Sequence, residues 1–146
     1  MKKIEIDTFL KFRFLSNPHF SPDGTKIAFT VSVPDRETNG YLSDLYLYDL
    51  GKKTVSRVTC SGDAKTWSWT AENTLIFTAA RTAALKKEKE NGTSFLYEIS
   101  PSGGEAQCIT SIPATVTGIH LLPDGRYLLT IRHDNYRDTR KKSYEV

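Results

Sequence analysis

The residues of this chain whose types could do chemistry are few: three histidines, two cysteines, and a pair of carboxylates in matching surroundings. Asp23 and Asp124 each sit in a Pro-Asp-Gly triplet, at 22–24 and 123–125. Two carboxylates brought together can do general acid–base work. In Pro-Asp-Gly, however, proline presets φ, the carboxylate caps the turn and glycine takes a positive φ, so the turn is the preferred reading of both. His19 precedes the first triplet on an expected inner strand, where it either lines a central channel or makes a structural hydrogen bond; the hydrogen bond is preferred. His120 and His133 are read the same way. Cys60 and Cys108 lack CxxC or histidine spacing, which argues against a disulfide framework and a zinc site alike. Trp67 and Trp69 alternate along one strand and are expected to pack against a neighbouring sheet rather than to hold an aromatic ligand. Arg137, Arg140, Lys141 and Lys142 read as a solvated tail. No catalytic residue, metal ligand or cofactor-binding residue is assigned.

Composition narrows the classes further. With 25% charged and 38% hydrophobic residues over 146 positions, the chain falls among ordinary globular proteins. A formal net charge of +3 with no basic stripe gives no reason to expect a nucleic-acid partner. The start, Met1 to Asp7, alternates Ile4, Glu5, Ile6, Asp7 and lacks the apolar core of a secretory signal. No apolar run approaches the ~20 residues that cross a bilayer, so no membrane partner is expected. Two isolated thiols fit a reducing cytoplasm.

The elements that position these residues emerge from a repeat. Tyr46-Leu47-Tyr48-Asp49-Leu50 returns class for class as Phe95-Leu96-Tyr97-Glu98-Ile99, and Arg57-Val58-Thr59 returns as Cys108-Ile109-Thr110 after a longer turn. Phe20-Ser21-Pro22-Asp23-Gly24 has a degenerate copy in Trp69-Thr70-Ala71-Glu72-Asn73 and a better one in Leu121-Leu122-Pro123-Asp124-Gly125. Three copies begin and two finish. Period-two alternation, as in Ile27, Phe29, Val31 and Val33 against Ala28, Thr30 and Ser32, marks strands. Expected strands cover 17–20, 26–33, 43–50 and 54–59, then 65–70, 74–80, 94–99 and 105–110, then 115–121 and 126–132. Segment 43–50 is apolar on both faces, which a sheet stacked between neighbouring sheets accommodates.

Four strands per repeat of this length predict an all-β fold, a partial β-propeller with two four-stranded antiparallel blades and the start of a third. The expected divisions are an extension with a short helix at 1–14, capped at Asp7 or Thr8, blade 1 at 15–63, blade 2 at 64–112, and a partial third blade with a charged tail at 113–146. A second helix over 81–90, ended by Asn91-Gly92, is expected as a decorated loop.

Asn17-Pro18-His19-Phe20-Ser21-Pro22-Asp23-Gly24-Thr25-Lys26-Ile27-Ala28-Phe29, followed by Leu45 to Leu50 and Arg57-Val58-Thr59, resembles the N-terminal propeller of the prolyl oligopeptidase family of serine peptidases. It is most similar to the acylaminoacyl-peptidase or dipeptidyl-aminopeptidase branch. The resemblance implies a propeller over a C-terminal α/β-hydrolase domain, with further blades, that admits short peptides and excludes folded proteins. Such a hydrolase carries a Gly-x-Ser-x-Gly elbow followed by Asp and His. No such elbow occurs here, and none of the family's catalytic residues is carried over. The chain is read as a fragment of such a peptidase. A propeller module of TolB type, working by protein contact, is the alternative. Open sheet faces predict that the fragment pairs as a homo-oligomer, most simply a dimer.

Overall fold

The computed structural model describes residues 6–132. His133 and the basic cluster Arg137, Arg140, Lys141 and Lys142 lie outside the described residues. A 3-10 helix, Ile6–Lys11, leads into strand β1, Phe14–Phe20. Asp7 and Thr8 thus both sit inside the short helix rather than capping it. Strands β2 (Lys26–Asp35), β3 (Gly40–Asp49) and β4 (Thr54–Arg57) complete an antiparallel sheet in the order β1-β2-β3-β4. A second sheet repeats the order with β5 (Trp67–Trp69), β6 (Leu75–Thr78), β7 (Ser94–Ile99) and β8 (Gln107–Ile112). Strands β9 (Thr115–Leu121) and β10 (Tyr127–Arg132) form a third, two-stranded sheet.

The turns entering each copy are built alike. The amide of Gly24 donates to the carbonyl of Ser21 at 2.8 Å, Asn73 to Thr70 at 3.2 Å, and Gly125 to Leu122 at 3.0 Å. All three closing residues have positive φ, at 70°, 60° and 82°. Glycine takes that conformation without a Cβ clash, and asparagine is among the few side chains that tolerate it. The degenerate second copy therefore keeps its geometry because Asn73 replaces the glycine.

Blade 2 is the sheet covered on both faces; segment 43–50 of blade 1, expected to be covered on both, buries Leu45 and Leu47 on one face and leaves Tyr46 and Tyr48 half-buried and Leu50 exposed on the other. Leu75 and Phe77 of β6, with Phe95, Tyr97 and Ile99 of β7, meet Ala28, Leu45 and Leu47 of blade 1 in one buried cluster. Ile76 and Leu96, from the opposite face of the same strands, meet Val116 and Ile119 of β9. Alternation in the sequence thus becomes two stacked interfaces. In blade 1 the face buried against blade 2 belongs to Ala28 and Thr30, which are 0% and 4% exposed, so small residues let the sheets approach.

Strand ends differ from expectation where side chains or bulges take over from ladder bonds. Strand β4 stops at Arg57 instead of residue 59, because Thr59 turns inward and its hydroxyl accepts a bond from the amide of Leu45 at 2.9 Å. Strand β8 runs over 107–112 instead of 105–110. Gly103 and Gly104, both at positive φ, lengthen the turn, and a register shift follows between Leu96 and Tyr97. Tyr46 faces Arg57 across blade 1, whereas its repeat mate Phe95 faces Ser111, so the matched motif Cys108-Ile109-Thr110 is not in matched register. The rim helix α1, Ala83–Glu90, is capped by Thr82, whose hydroxyl accepts from the amide of Leu85. Asn91 closes it, and Gly92 follows at φ 91°.

Candidate functional site

The inner strands β1, β5 and β9 are edge strands of their three sheets. They converge on a groove of about 610 Å³, within the size range of ligand clefts. Each blade supplies one wall. His19 comes from β1, Lys65 and Ser68 from the approach to β5 and from β5 itself, and Thr117 and His120 from β9.

Local backbone features aim these groups. Strand β1 carries a register shift between Ser16 and His19, and Asn17 within it has φ 56°. A non-glycine residue in that region just before a proline is unfavourable, and a bulge of this kind redirects the side chains that follow it. The His19 ring meets Trp67 edge-on, with centroids 5.6 Å apart and planes at 74°. Across the groove, a Cβ on Gly118 would lie 3.1 Å from His120 Nε2 and 3.0 Å from Thr130 Oγ1. Glycine at 118 therefore leaves the space that the His120 ring uses.

His19 does contribute a structural hydrogen bond, but through its main chain: its carbonyl accepts from Trp69 Nε1 at 3.1 Å. Its imidazole is left in the groove, as is that of His120. Trp67 and Trp69 are 4% and 5% exposed and belong to the core between blades 1 and 2, as their spacing predicts. Trp67 Nε1 donates to Thr30 Oγ1 at 2.9 Å, so both indoles bond across to the first blade. Cys60 and Cys108 are free and exposed.

Asp23 and Asp124 act within their own turns. The Asp23 carboxylate accepts from the Ser21 hydroxyl at 2.6 Å and from the Thr25 amide and hydroxyl at 3.0 and 2.9 Å. These bonds, led by that of Ser21, hold its pKa down at about 2. Asp124 accepts from the amide of Arg126 at 3.0 Å and pairs with its guanidinium at 2.6 Å; that side-chain bond is the main cause of its lowered pKa. The main-chain amide of Asp23 also donates to Asn73 Oδ1 at 3.0 Å, which ties the first turn to its repeat mate.

A carboxylate with a folded pKa below its unfolded value stabilises the fold above the unfolded pKa, and the contribution is lost as pH falls through the folded one. Asp23→Asn keeps an acceptor but removes the titration. Denaturant midpoints measured between pH 4 and pH 2 are expected to fall less steeply in Asp23→Asn than in the parent chain. Identical slopes would show that the carboxylate is not held by these donors.

One polar cluster centres on Asp44, which is not among the residues singled out from the sequence, and gathers Arg57 and Thr59 of the repeated motif around it. Asp44, 5% exposed, accepts from Arg57 at 2.6 Å, the Thr59 hydroxyl at 3.0 Å and the Gly62 amide at 3.0 Å. The bond to Asp44 is the first cause of the raised Arg57 pKa. The buried charge is thereby paired and saturated with donors, as its position demands. It clamps the outer edge of blade 1 to the crossing into blade 2. Its signals in the sequence are an acid inside an apolar strand and the Arg57-Val58-Thr59 motif that supplies two of its donors.

No family profile matches the chain. It is 29% identical over 156 aligned positions to a Bacillus subtilis (strain 168) protein, uncharacterized peptidase YuxL; the match spans 99% of this chain and 22% of that one. Among solved structures, the propeller domain of the Trilobed protease from Pyrococcus furiosus, described as having an open velcro topology, superposes with TM-score 0.60 at 16% identity, covering 83% of this chain and 34% of that one. An acylaminoacyl peptidase in complex with Z-Gly-Gly-Phe-chloromethyl ketone gives TM-score 0.65 at 18% identity, over 89% of this chain and 20% of that one. The Pyrococcus horikoshii acylaminoacyl peptidase gives 0.64 at 18%, over the same shares. The fold is a partial β-propeller. Its sequence and its fold both find their counterparts in peptidases, in agreement with the resemblance carried by Asn17 to Phe29. The chain spans about a fifth of the curated relative it matches.

Proposed function

We propose that this chain is the non-catalytic, N-terminal propeller portion of a serine peptidase of the prolyl oligopeptidase family that cleaves short or N-acylated peptides. In the intact enzyme it gates access of substrate to a C-terminal α/β-hydrolase domain, with the remaining blades closing the ring. The observation that carries this reading is the match to a peptidase along 99% of the chain. The groove walled by the three inner strands supports it, because inner strands face the central channel of a propeller. A passage walled by rigid sheets passes an extended peptide and excludes a folded domain. Two exposed free thiols suit a reducing, cytoplasmic setting. No helix among the described residues is long and apolar enough to cross a membrane.

The decisive test is the reading frame downstream of Val146, where a Gly-x-Ser-x-Gly elbow followed by Asp and then His is expected. An open frame of several hundred codons without that order overturns the reading. For residues 1–146 alone, no turnover of acyl-peptide or aminoacyl chromogenic substrates is expected, and no labelling by a fluorophosphonate. Activity that survives repurification in proportion to this chain would contradict it.

A further inference from the structure

The groove between β1, β5 and β9 has a charge character of its own. Its lining includes one lysine and two histidines but no aspartate or glutamate, although the chain as a whole carries 17 acids against 20 Lys and Arg. The nearest acid in sequence, Asp23, follows the lining residue Pro22, but its carboxylate is occupied by donors from Ser21 and Thr25. Lys65 and both histidines are exposed, so their nitrogens are accessible from the groove. The three basic groups stand on three different blades. They are spread around the walls, whereas a clamp for one terminal carboxylate needs its donors gathered at one point.

The walls add a second type of recognition. As edge strands, β1, β5 and β9 each have one side without a ladder partner among the described residues. Such edges accept an extended chain by main-chain hydrogen bonding. Thr130 lines the groove between the basic groups, whereas the hydroxyls of Ser68 and Thr117 donate to the carbonyls of Trp69 and Thr130 at 3.2 Å each.

We propose that this groove binds an extended peptide through its acidic side chains, with Lys65, His19 and His120 as the groups that select carboxylates and the inner-strand edges as the backbone partners. The inference deepens the gating role proposed above by naming the class of peptide favoured at the channel wall. Its test needs no hydrolase: if binding is found and the downstream frame encodes none, only the peptidase reading fails.

The experiment is fluorescence anisotropy with the full 146-residue chain and a fluorescein-labelled hexapeptide of alternating Ala and Glu at low ionic strength. Saturable binding is expected. It should weaken severalfold when each Glu is replaced by Gln, and further as salt rises from about 20 to about 300 mM, in keeping with ion pairing at an exposed site. Amidation of the peptide's C-terminus is expected to change the affinity less than twofold. Lys65→Glu should abolish binding of the Glu peptide and create binding of an Ala-Lys peptide, a charge swap that a merely unfolded variant cannot show. His19→Gln and His120→Gln should each weaken the Glu peptide severalfold. Equal binding of Glu and Gln peptides, loss on amidation, or an unaltered preference in Lys65→Glu would each overturn the proposal, as would no saturation up to millimolar peptide.

Discussion

Truncating Leu47 to alanine is expected to destabilise the chain by about 3–5 kcal/mol, and truncating Leu96 by about 2–3 kcal/mol, within the range of buried leucine deletions. The two positions match in the repeat, yet their surroundings differ. Leu47, 2% exposed, lies in the cluster between blades 1 and 2, walled by Trp67, Trp69, Phe77 and Tyr97. Aromatic groups held by cross-blade hydrogen bonds, such as Trp67 to Thr30, cannot move into the space left behind. The cavity term therefore stays nearly whole. Leu96, 4% exposed, faces a smaller cluster of Ile76, Val116 and Ile119, backed by a two-stranded sheet that can settle inward. Part of its cavity collapses, and the cost is lower. Chemical denaturation of the two variants reads both the magnitude and the order. Less than about 0.5 kcal/mol for both would mean that the assigned strand faces are wrong, and a larger cost at Leu96 would invert the account of how each interface relaxes.

The same contrast explains what the sequence makes legible. Strand faces follow from local alternation and strand equivalence from the repeat, so Tyr46 to Leu50 and Phe95 to Ile99 are readable as matching segments, and the structure places β3 and β7 third in their sheets. Turn chemistry is equally local, and it survives even where Asn73 stands in for glycine. Register is less local. The slip between Leu96 and Tyr97 depends on how a longer turn is absorbed across two strands, which displaces Cys108-Ile109-Thr110 from its motif position. The Asp44 cluster was illegible for a related reason: Arg57, Thr59 and Gly62 reach one carboxylate only after β4 has paired with β3 and the chain has folded back. The groove lies furthest from the sequence, because His19, Lys65 and His120 belong to three separate blades that only the stacking of sheets brings together.

Isolated residues 1–146 are expected to run as a dimer at micromolar concentration, with a molar mass near twice 16.5 kDa by light scattering coupled to size exclusion. Blade 2 is covered on both faces, but the outer sheets are not. On β10, Leu128 is 56% exposed and Ile131 48%, and among the described residues no strand pairs with its far edge. At the other end, Phe29 and Tyr46 stack at 6.1 Å on the face of blade 1 turned away from blade 2, with Val55 59% exposed on the neighbouring strand. Covering about 700 Å² of apolar surface over the two copies yields about 17 kcal/mol, which leaves the roughly 8 kcal/mol of micromolar pairing after an association cost of about 9 kcal/mol. A two-fold axis places identical edges together and closes the assembly at two copies, so β10 against β10 continues each short sheet into the other. Leu128→Lys adds a charge to the edge without touching the cluster around Ile76 and Leu96, and should shift the chain to monomer while leaving its circular dichroism unchanged. A clean, soluble monomer of the parent chain would refute the pairing. A dimer that survives Leu128→Lys would move the contact to the Phe29 and Tyr46 face, where a charge at Val55 should then break it.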